Sequence, residues 1–282
     1  MELLAEHSME LAGSRTRVLE LDGHGPGIVL LHGWGDSADT WRPLLTELGF
    51  CGRRAIAVDL PGFGHAARLR RGAILPQLDD FATALVQDWG GGEQVVVAGN
   101  SLGGCVALRL GEQAGALPLA GVVPVAPTGM DLPGWFDLVE RDPIVRRLLD
   151  IPIPIPVALV RSLVGGAYGE DAVLSPLAAQ RAVADAFSGD NDSREHAAAL
   201  LGSGRGLLPE LATAPYDLAA VACPVMLVWG TRDRMAPHSG ARGVLDALPA
   251  TRVELIEGCG RSPQLEATEQ LLELLLAFPP NL

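Results

Sequence analysis

The sequence predicts an α/β fold in which a mostly parallel central sheet is flanked by helices and a helical lid is inserted between two strands. Short apolar runs alternate with amphipathic stretches along the 282 residues, which is typical of parallel strands covered by helices. Apolar residues make up 48% of the chain, enough to fill a large core. The alternation stops over one long stretch, which indicates the insertion.

The N-terminal part begins with a hairpin and leads into the first buried strand. Gly13-Ser14 is a turn signal between two flanking segments, Ser8–Ala12 and Arg15–Leu21. Ile28–Leu31 is a short apolar run that predicts a strand, and Ala38–Leu48 predicts the helix that follows it. A glycine-rich loop lies between this strand and this helix.

Two further blocks of strands and helices follow, one on each side of the interruption. Before it, the pattern predicts strands at Ala55–Leu60, Gln94–Ala98 and Leu119–Ala126, and helices at Leu78–Trp89 and Leu102–Gln113. After it, the pattern predicts strands at Val225–Trp229 and Arg252–Ile256, and helices at Ala241–Leu248 and Gln264–Phe278. The interruption therefore follows the sixth strand of the core.

Residues 128–216 are predicted to form the helical lid (cap), so that residues 1–127 and 217–282 make up the core. Prolines at every second position in Ile151–Pro156 exclude a helix interior or a central strand there. A structureless segment of this length is unusual in a compact domain, which favours a lid over surface loops. Apolar lid side chains are expected to cover a ligand cleft, namely Trp135, Phe136, Leu138, Leu148, Leu149, Ile151, Ile153, Ile155, Val157, Leu159 and Phe187.

Charge and composition exclude several classes of protein. The net charge of −13 would repel a phosphate backbone, so no nucleic acid partner is expected. No apolar run reaches the roughly 18 residues of a membrane span, and the N-terminus does not resemble a signal peptide, so we expect a cytoplasmic protein without a membrane partner. The four cysteines lack metal-site spacing, and neither a metal nor a cofactor is expected. The chain is expected to be a monomer or a homodimer.

The segment Gly99–Gly103, with the sequence GNSLG, carries the strongest catalytic signal in the chain. It matches G-x-S-x-G, and a predicted strand precedes it while a predicted helix follows directly. This context predicts a nucleophile elbow, in which Ser101 occupies a strained turn that lifts its hydroxyl above the sheet. The glycines two positions to either side leave room for the backbone to approach itself. An ordinary glycine-rich turn is the alternative interpretation.

The glycine-rich loop His32–Gly35 follows the first buried strand and is the candidate second half of an oxyanion hole. One main-chain N–H would come from Trp34, and the other from Leu102, the residue after the candidate nucleophile. Because both donors belong to the main chain, the side-chain types are not diagnostic. His32 is interpreted as a support for the turn through hydrogen bonds and not as a catalytic base.

Four motifs in this order resemble those of the α/β-hydrolase superfamily: LLHGWGDSADTW, VDLPGFG, GNSLGG and WGTRDRMAP. The resemblance is greatest to the esterase, BioH-like and C–C-bond hydrolase branches, and it covers nearly the whole chain outside the lid. It implies the α/β-hydrolase fold and a serine hydrolase that acts on a small-to-medium apolar ester, thioester or related carbonyl substrate. It also implies that Asp233 orients a catalytic histidine, although a surface aspartate paired with Arg232 or Arg234 is the alternative.

Arg261 is the main departure from this resemblance. The superfamily places a histidine after the next strand, in G-x-x-H or G-x-G-H, whereas this chain has Gly258-Cys259-Gly260-Arg261. Arginine is charged at every workable pH, so it cannot take the proton of a serine hydroxyl. Its natural partner is Asp233. A serine without a base is a weak nucleophile, so the catalytic triad is incomplete.

Histidines elsewhere in the chain are candidates for a substitute base. His238 follows the acid motif and His65 follows the LPGFG turn, so both are expected near the carboxyl edge of the sheet. His196 belongs to the lid, and His7 and His24 belong to the N-terminal strands. An exposed loop histidine is the plainer interpretation of each.

Three explanations of Arg261 remain open from the sequence. The first is that the protein is a degenerate member of its family that is kept for binding a ligand. Alternatively, it is a lyase or cyclase that uses the oxyanion hole without a histidine, with Arg261 binding an anionic group. The third explanation is that Arg261 is a substitution that disables an enzyme.

Overall fold

One eight-stranded sheet runs through the described part of the chain, which is residues 4–130, 202–204, 206–213, 215–233 and 235–278 of a computed structural model. The strands are β1 (Leu4–Leu11), β2 (Ser14–Leu21), β3 (His24–Leu31), β4 (Arg53–Val58), β5 (Val95–Asn100), β6 (Leu119–Val125), β7 (Met226–Gly230) and β8 (Arg252–Ile256). Their order in the sheet is β1-β2-β4-β3-β5-β6-β7-β8. The pairs β1–β2 and β2–β4 are antiparallel, and all later neighbours are parallel. The predicted α/β architecture is confirmed.

Helices cover both faces of this sheet. They are α1 (Arg42–Phe50), α2 (Leu75–Gly90), α3 (Leu102–Gly111), α4 (Ala241–Ala247), α5 (Pro263–Glu266) and α6 (Thr268–Leu276), with short 3-10 turns at Ala38–Trp41, Leu218–Ala220 and His238–Gly240. One core lies between the sheet and α2, α3 and α4, and the second lies between the sheet and α1 and α6. Helices on both faces are what a parallel sheet requires, because each strand is then buried on both sides.

Strand β5 illustrates why the short apolar runs form strands. All six of its residues are buried. Val95 and Val97 pack into the first core, while Val96 and Ala98 pack into the second. Since successive side chains of a strand point to opposite faces, a continuous apolar run fits only a strand with a core on each side.

Two local assignments from the sequence are wrong in detail. The hairpin turn consists of Ala12 and Gly13, both with positive φ, because Leu11 pairs with Ser14 in the ladder. The predicted last helix is broken at Ala267, where φ is −145° and ψ is 48°. The hydroxyl of Thr268 donates to the carbonyl of Gln264 at 2.9 Å, a local hydrogen bond that competes with the helical pattern at this point.

Most of the predicted lid lies outside the described residues, including its apolar side chains from Trp135 to Phe187 and His196. In the described remainder, residues 202–204 and 206–212 are helical. Leu207 and Leu211 are buried in the first core, and the carboxylate of Glu210 accepts hydrogen bonds from the main-chain N–H groups of Ile74 and Leu75 at 2.7 and 2.8 Å. Among the helices that the structure describes, none is long and apolar enough to cross a membrane.

Candidate active site

Ser101 occupies the tight turn between β5 and α3, at the carboxyl edge of the parallel strands. Its backbone has φ 56° and ψ −111°, a left-handed conformation that is rare for a residue with a side chain. Such a conformation costs on the order of 1–3 kcal/mol and persists only where its surroundings hold it. Here the N–H of Ser101 donates to the carbonyl of Val125 at 2.9 Å, and its own carbonyl accepts from the N–H of Thr128 at 3.2 Å.

The glycines around Ser101 are required by the close approach of backbone segments. A Cβ atom on Gly99 would lie 2.2 Å from the carbonyl oxygen of Gly103, and one on Gly103 would lie 2.2 Å from the carbonyl oxygen of Leu31. Neither contact is with a flexible side chain, so neither can be relieved by a rotamer change. The G-x-S-x-G pattern is therefore needed for β3, β5 and α3 to meet at this turn.

Arg261 bridges Ser101 and Asp233. Its Nη2 donates to Oγ of Ser101 at 2.5 Å, and its Nη1 donates to Oδ2 of Asp233 at 3.1 Å. The guanidinium is buried, since the side chain of Arg261 is only 4% exposed. In a guanidinium Nη1 and Nη2 are bonded to one carbon, as are the two nitrogens of an imidazole. Arg261 can therefore span the same two partners as a histidine, but every nitrogen that it offers is a donor.

Asp233 is buried and hydrogen-bonded in the loop after β7. Its side chain is 0% exposed. Oδ2 accepts from Arg261, and Oδ1 accepts from the main-chain N–H groups of Met235 and Ala236 at 2.8 and 3.0 Å. The alternative of a solvated surface aspartate is therefore wrong, because this carboxylate faces the interior.

Two residues that the sequence reasoning missed hold the loop that carries Arg261. The carboxylate of Glu266 accepts from the N–H groups of Gly260 and Ser262 at 2.7 and 2.9 Å, so one side chain ties down both neighbours of Arg261. The side-chain amide of Asn100 donates to the carbonyl of Arg261 at 2.9 Å. The position of Asn100 inside the G-x-S-x-G motif was the available signal, whereas nothing in the pattern marked Glu266.

The loop after β3 lies against Ser101. A Cβ atom on Gly33 would lie 3.3 Å from Cβ of Ser101. The N–H groups of Trp34 in this loop and of Leu102 at the start of α3 have no recorded acceptor within the described residues. The first N–H groups of a helix lack partners inside the helix, so that of Leu102 is available to a ligand. The indole N–H of Trp34 donates to the hydroxyl of Ser203 at 3.1 Å.

The imidazole of His32 supports the neighbouring turn. Nε2 accepts from the N–H of Leu60 at 2.8 Å, so Nδ1 carries the proton and donates to the carbonyl of Gly33 at 2.7 Å. The ring also meets Phe63 edge-on, with centroids 5.9 Å apart. Both nitrogens are occupied, as the structural interpretation of His32 requires.

Neither His65 nor His238 meets Ser101. Both side chains are exposed. His65 follows β4, and its main-chain N–H donates to Asp59 at 2.8 Å, while His238 starts a single 3-10 turn. Within the described ranges, the one side chain that hydrogen-bonds Oγ of Ser101 is that of Arg261.

Cys259 is a titratable group two residues before Arg261. Burial raises the pKa of its thiol to about 12, and the negative charges of Glu266 and Asp233 act in the same direction. An effective general base needs a pKa near the working pH. The thiol stays protonated at neutral pH and cannot take the role of the missing histidine.

Comparison with known proteins finds similarity over nearly the whole chain, both in sequence and in fold. A sequence model described as the alpha/beta hydrolase family matches residues 28–274. A pimeloyl-(acyl-carrier protein) methyl ester esterase of Xanthomonas campestris is 30% identical over 263 residues, which cover 92% of this chain and 97% of that protein. A dihydrolipoyllysine-residue acetyltransferase component of an acetoin cleaving system from Pseudomonas putida is 27% identical over 289 residues, covering 97% of this chain and 69% of that protein. The solved structure of a 2-hydroxy-6-oxo-6-phenylhexa-2,4-dienoate hydrolase from Rhodococcus sp. strain RHA1 matches with a TM-score of 0.73 at 22% identity, over 97% of each chain.

Proposed function

This chain belongs to the alpha/beta hydrolase family, and from that premise we propose that it is a serine hydrolase whose nucleophile, Ser101, works without a histidine base. The observation that carries the proposal is the strained turn of Ser101, whose hydroxyl accepts a hydrogen bond from the Arg261 that also pairs with Asp233. Within the described residues, the N–H groups of Trp34 and Leu102 have no acceptor. Ser101 is the elbow nucleophile in this proposal. Trp34 and Leu102 supply the oxyanion hole.

The proposed reaction uses hydroxide from solvent where relatives with a histidine use the imidazole. Hydroxide removes the proton of Ser101, and the guanidinium of Arg261 stabilises the alkoxide through the 2.5 Å hydrogen bond. The alkoxide attacks the carbonyl carbon, and the oxyanion of the tetrahedral intermediate accepts from the N–H groups of Trp34 and Leu102. The intermediate expels the alkoxide of the ester, which takes a proton from water to become the alcohol and returns hydroxide to the solvent. A second water molecule then cleaves the acyl-enzyme to the acid and frees the hydroxyl of Ser101. General-base help of about 10²–10⁴-fold is missing, so turnover is slow.

The proposed substrate is a small-to-medium apolar ester, thioester or related carbonyl compound. The similarity to the methyl ester esterase from Xanthomonas campestris supports the ester class. Residues 128–216 are proposed as the cap over the site. The hydrogen bond between Trp34 and Ser203 supports this, because it joins the loop His32–Gly35 to the described C-terminal end of the proposed cap.

Labelling and pH dependence together test the proposal. A fluorophosphonate probe should label wild-type protein, and Ser101→Ala should lose both labelling and hydrolysis of p-nitrophenyl butyrate. Ser8→Ala, which removes an exposed hydroxyl on β1, is the matched control and should behave as wild type. With hydroxide as the base, kcat/KM should rise about tenfold per pH unit between pH 7 and 9. A plateau below pH 8 would mean that a titrating side chain acts as the base, and absence of both labelling and turnover would reject the hydrolase.

The second candidate function is ligand binding without turnover. The bridge from Arg261 to Ser101 and Asp233 favours it, because the guanidinium donates to the hydroxyl oxygen of Ser101 and to the carboxylate of Asp233 at the same time. This candidate predicts a ligand that binds wild type and is recovered unchanged. Turnover that disappears in Ser101→Ala would exclude it.

A further inference from the structure

The guanidinium of Arg261 has more donors than the described protein uses. A guanidinium carries five N–H groups. Two of them have recorded acceptors, Oδ2 of Asp233 and Oγ of Ser101, and the remaining three have none among the described residues. A side chain that is 4% exposed has little access to water for these donors. Buried polar groups are normally hydrogen-bonded, so these donors can serve a ligand that reaches the site.

Asp233 can accept at most one of these three N–H groups, because a carboxylate offers about four acceptor sites. Its two oxygens already accept three hydrogen bonds, from Arg261 and from the N–H groups of Met235 and Ala236. The charge of Arg261 is matched one to one by Asp233, so the pair is neutral. A neutral histidine at position 261 would leave the same site with a net charge of −1. The arginine therefore makes the site more favourable to an anion by one unit of charge.

The surroundings of Ser101 add donors. The N–H of Leu102 opens helix α3, which is 10 residues long and directs the positive end of its dipole at this point. The hydroxyl of Ser101 accepts from Arg261, and its own hydrogen has no recorded acceptor within the described ranges. Guanidinium, hydroxyl and main-chain N–H thus meet at one place. The acceptors of a carboxylate match such a set of donors.

We infer that Arg261, Ser101 and the N-terminus of α3 bind the carboxylate of a short apolar monocarboxylic acid. One carboxylate oxygen accepts from Arg261 and from the hydroxyl of Ser101, and the other accepts from the N–H of Leu102. The choice of acid rests on the proposed function, because an acid is what ester hydrolysis releases. The binding itself requires no turnover.

Calorimetric titration of the full chain at pH 7 with hexanoate and with hexanamide tests the inference. The two probes have nearly the same shape and differ in charge. Hexanoate should bind at least about tenfold more tightly than hexanamide. Arg261→Gln, which keeps a side-chain N–H group but removes the charge, should reduce this preference to less than twofold. Arg252→Gln is the matched control, because Arg252 pairs with Glu254 on the exposed edge strand β8, and it should keep the wild-type preference.

Several results would overturn the inference. Equal affinity of wild type for the two probes would do so, as would no heat of binding with hexanoate up to about 10 mM. Both measurements use wild type and remain informative if Arg261→Gln fails to fold. A preference that persists in folded Arg261→Gln would also overturn it. Ester turnover without hexanoate binding would reject this inference alone, and hexanoate binding without probe labelling or turnover would reject the proposed hydrolase alone.

Discussion

Arg261→His should restore a base to the site. The guanidinium and the imidazole each present two nitrogens bonded to one carbon, and in this structure those positions face Asp233 Oδ2 and Ser101 Oγ at 3.1 and 2.5 Å. In the variant, Nδ1–H would donate to Asp233 and Nε2 would accept the proton of Ser101. The carboxylate of Asp233 keeps three donors, so the substitution does not leave it unpaired.

The expected gain in kcat/KM is the contribution of a general base, which Arg261 cannot act as. Serine activation by a positioned base contributes about 10²–10⁴-fold, which corresponds to about 2.7–5.4 kcal/mol of transition-state stabilisation. We expect kcat/KM for p-nitrophenyl butyrate at pH 7.5 to rise by that factor. The pH profile should also change from a steady rise to a plateau above about pH 7, because a histidine with a pKa near 6.5 is then deprotonated.

Two further variants test whether the gain comes from the imidazole. Arg261→Gln removes the charge without supplying a base, so it should show no such rise. Adding Asp233→Asn to Arg261→His should remove most of the gain, since the imidazole then loses its correct tautomer. If folded Arg261→His reacts with a fluorophosphonate probe but its rate stays within threefold of wild type, the missing base is not what limits this site.

Three further predictions concern the elements that hold the site. Gly103→Ala should lower the free energy of unfolding, measured by urea titration, by about 3 kcal/mol, because its Cβ would lie 2.2 Å from a carbonyl oxygen. The control Gly115→Ala, whose Cβ would have no atom within 4 Å, should change that free energy by less than about 0.5 kcal/mol. Burial of Asp39 raises the pKa of its carboxyl, but hydrogen bonds from Arg17 and Arg42 outweigh burial and hold that pKa at about 2. The contribution of Asp39 to the free energy of unfolding is therefore present above about pH 4 and is lost as the pH falls toward 2. Asp39→Asn should therefore destabilise the protein by about 1 kcal/mol at pH 7, after allowance for solvent screening, and by much less near pH 2; an equal effect at both pH values would contradict this. Glu210→Gln should speed amide hydrogen exchange at the first turn of α2, and unchanged exchange there would show that the carboxylate does not hold that turn.

Much of the fold could be predicted from local patterns. The central strands β3 to β7 fall where short apolar runs occur, because a run such as Val95–Val97 fits only a strand buried on both faces. Errors arose where a local hydrogen bond or the strand register decided the outcome. The break at Ala267 accompanies the hydroxyl of Thr268, and the turn at Ala12-Gly13 follows from the pairing of Leu11 with Ser14. Neither effect is encoded in hydrophobic periodicity.

The sequence by itself determined that a serine follows a central strand and opens a helix, because Gly99 and Gly103 are the residues that such a close backbone approach requires. It also determined that position 261 holds no base. Only the tertiary structure decided that Arg261 reaches both Ser101 and Asp233, while His65 stays exposed. The physical reason is that a hydrogen bond between residues 160 positions apart depends on where the loops after β5, β7 and β8 meet. That meeting point is set by the order of strands in the sheet, which no local pattern specifies.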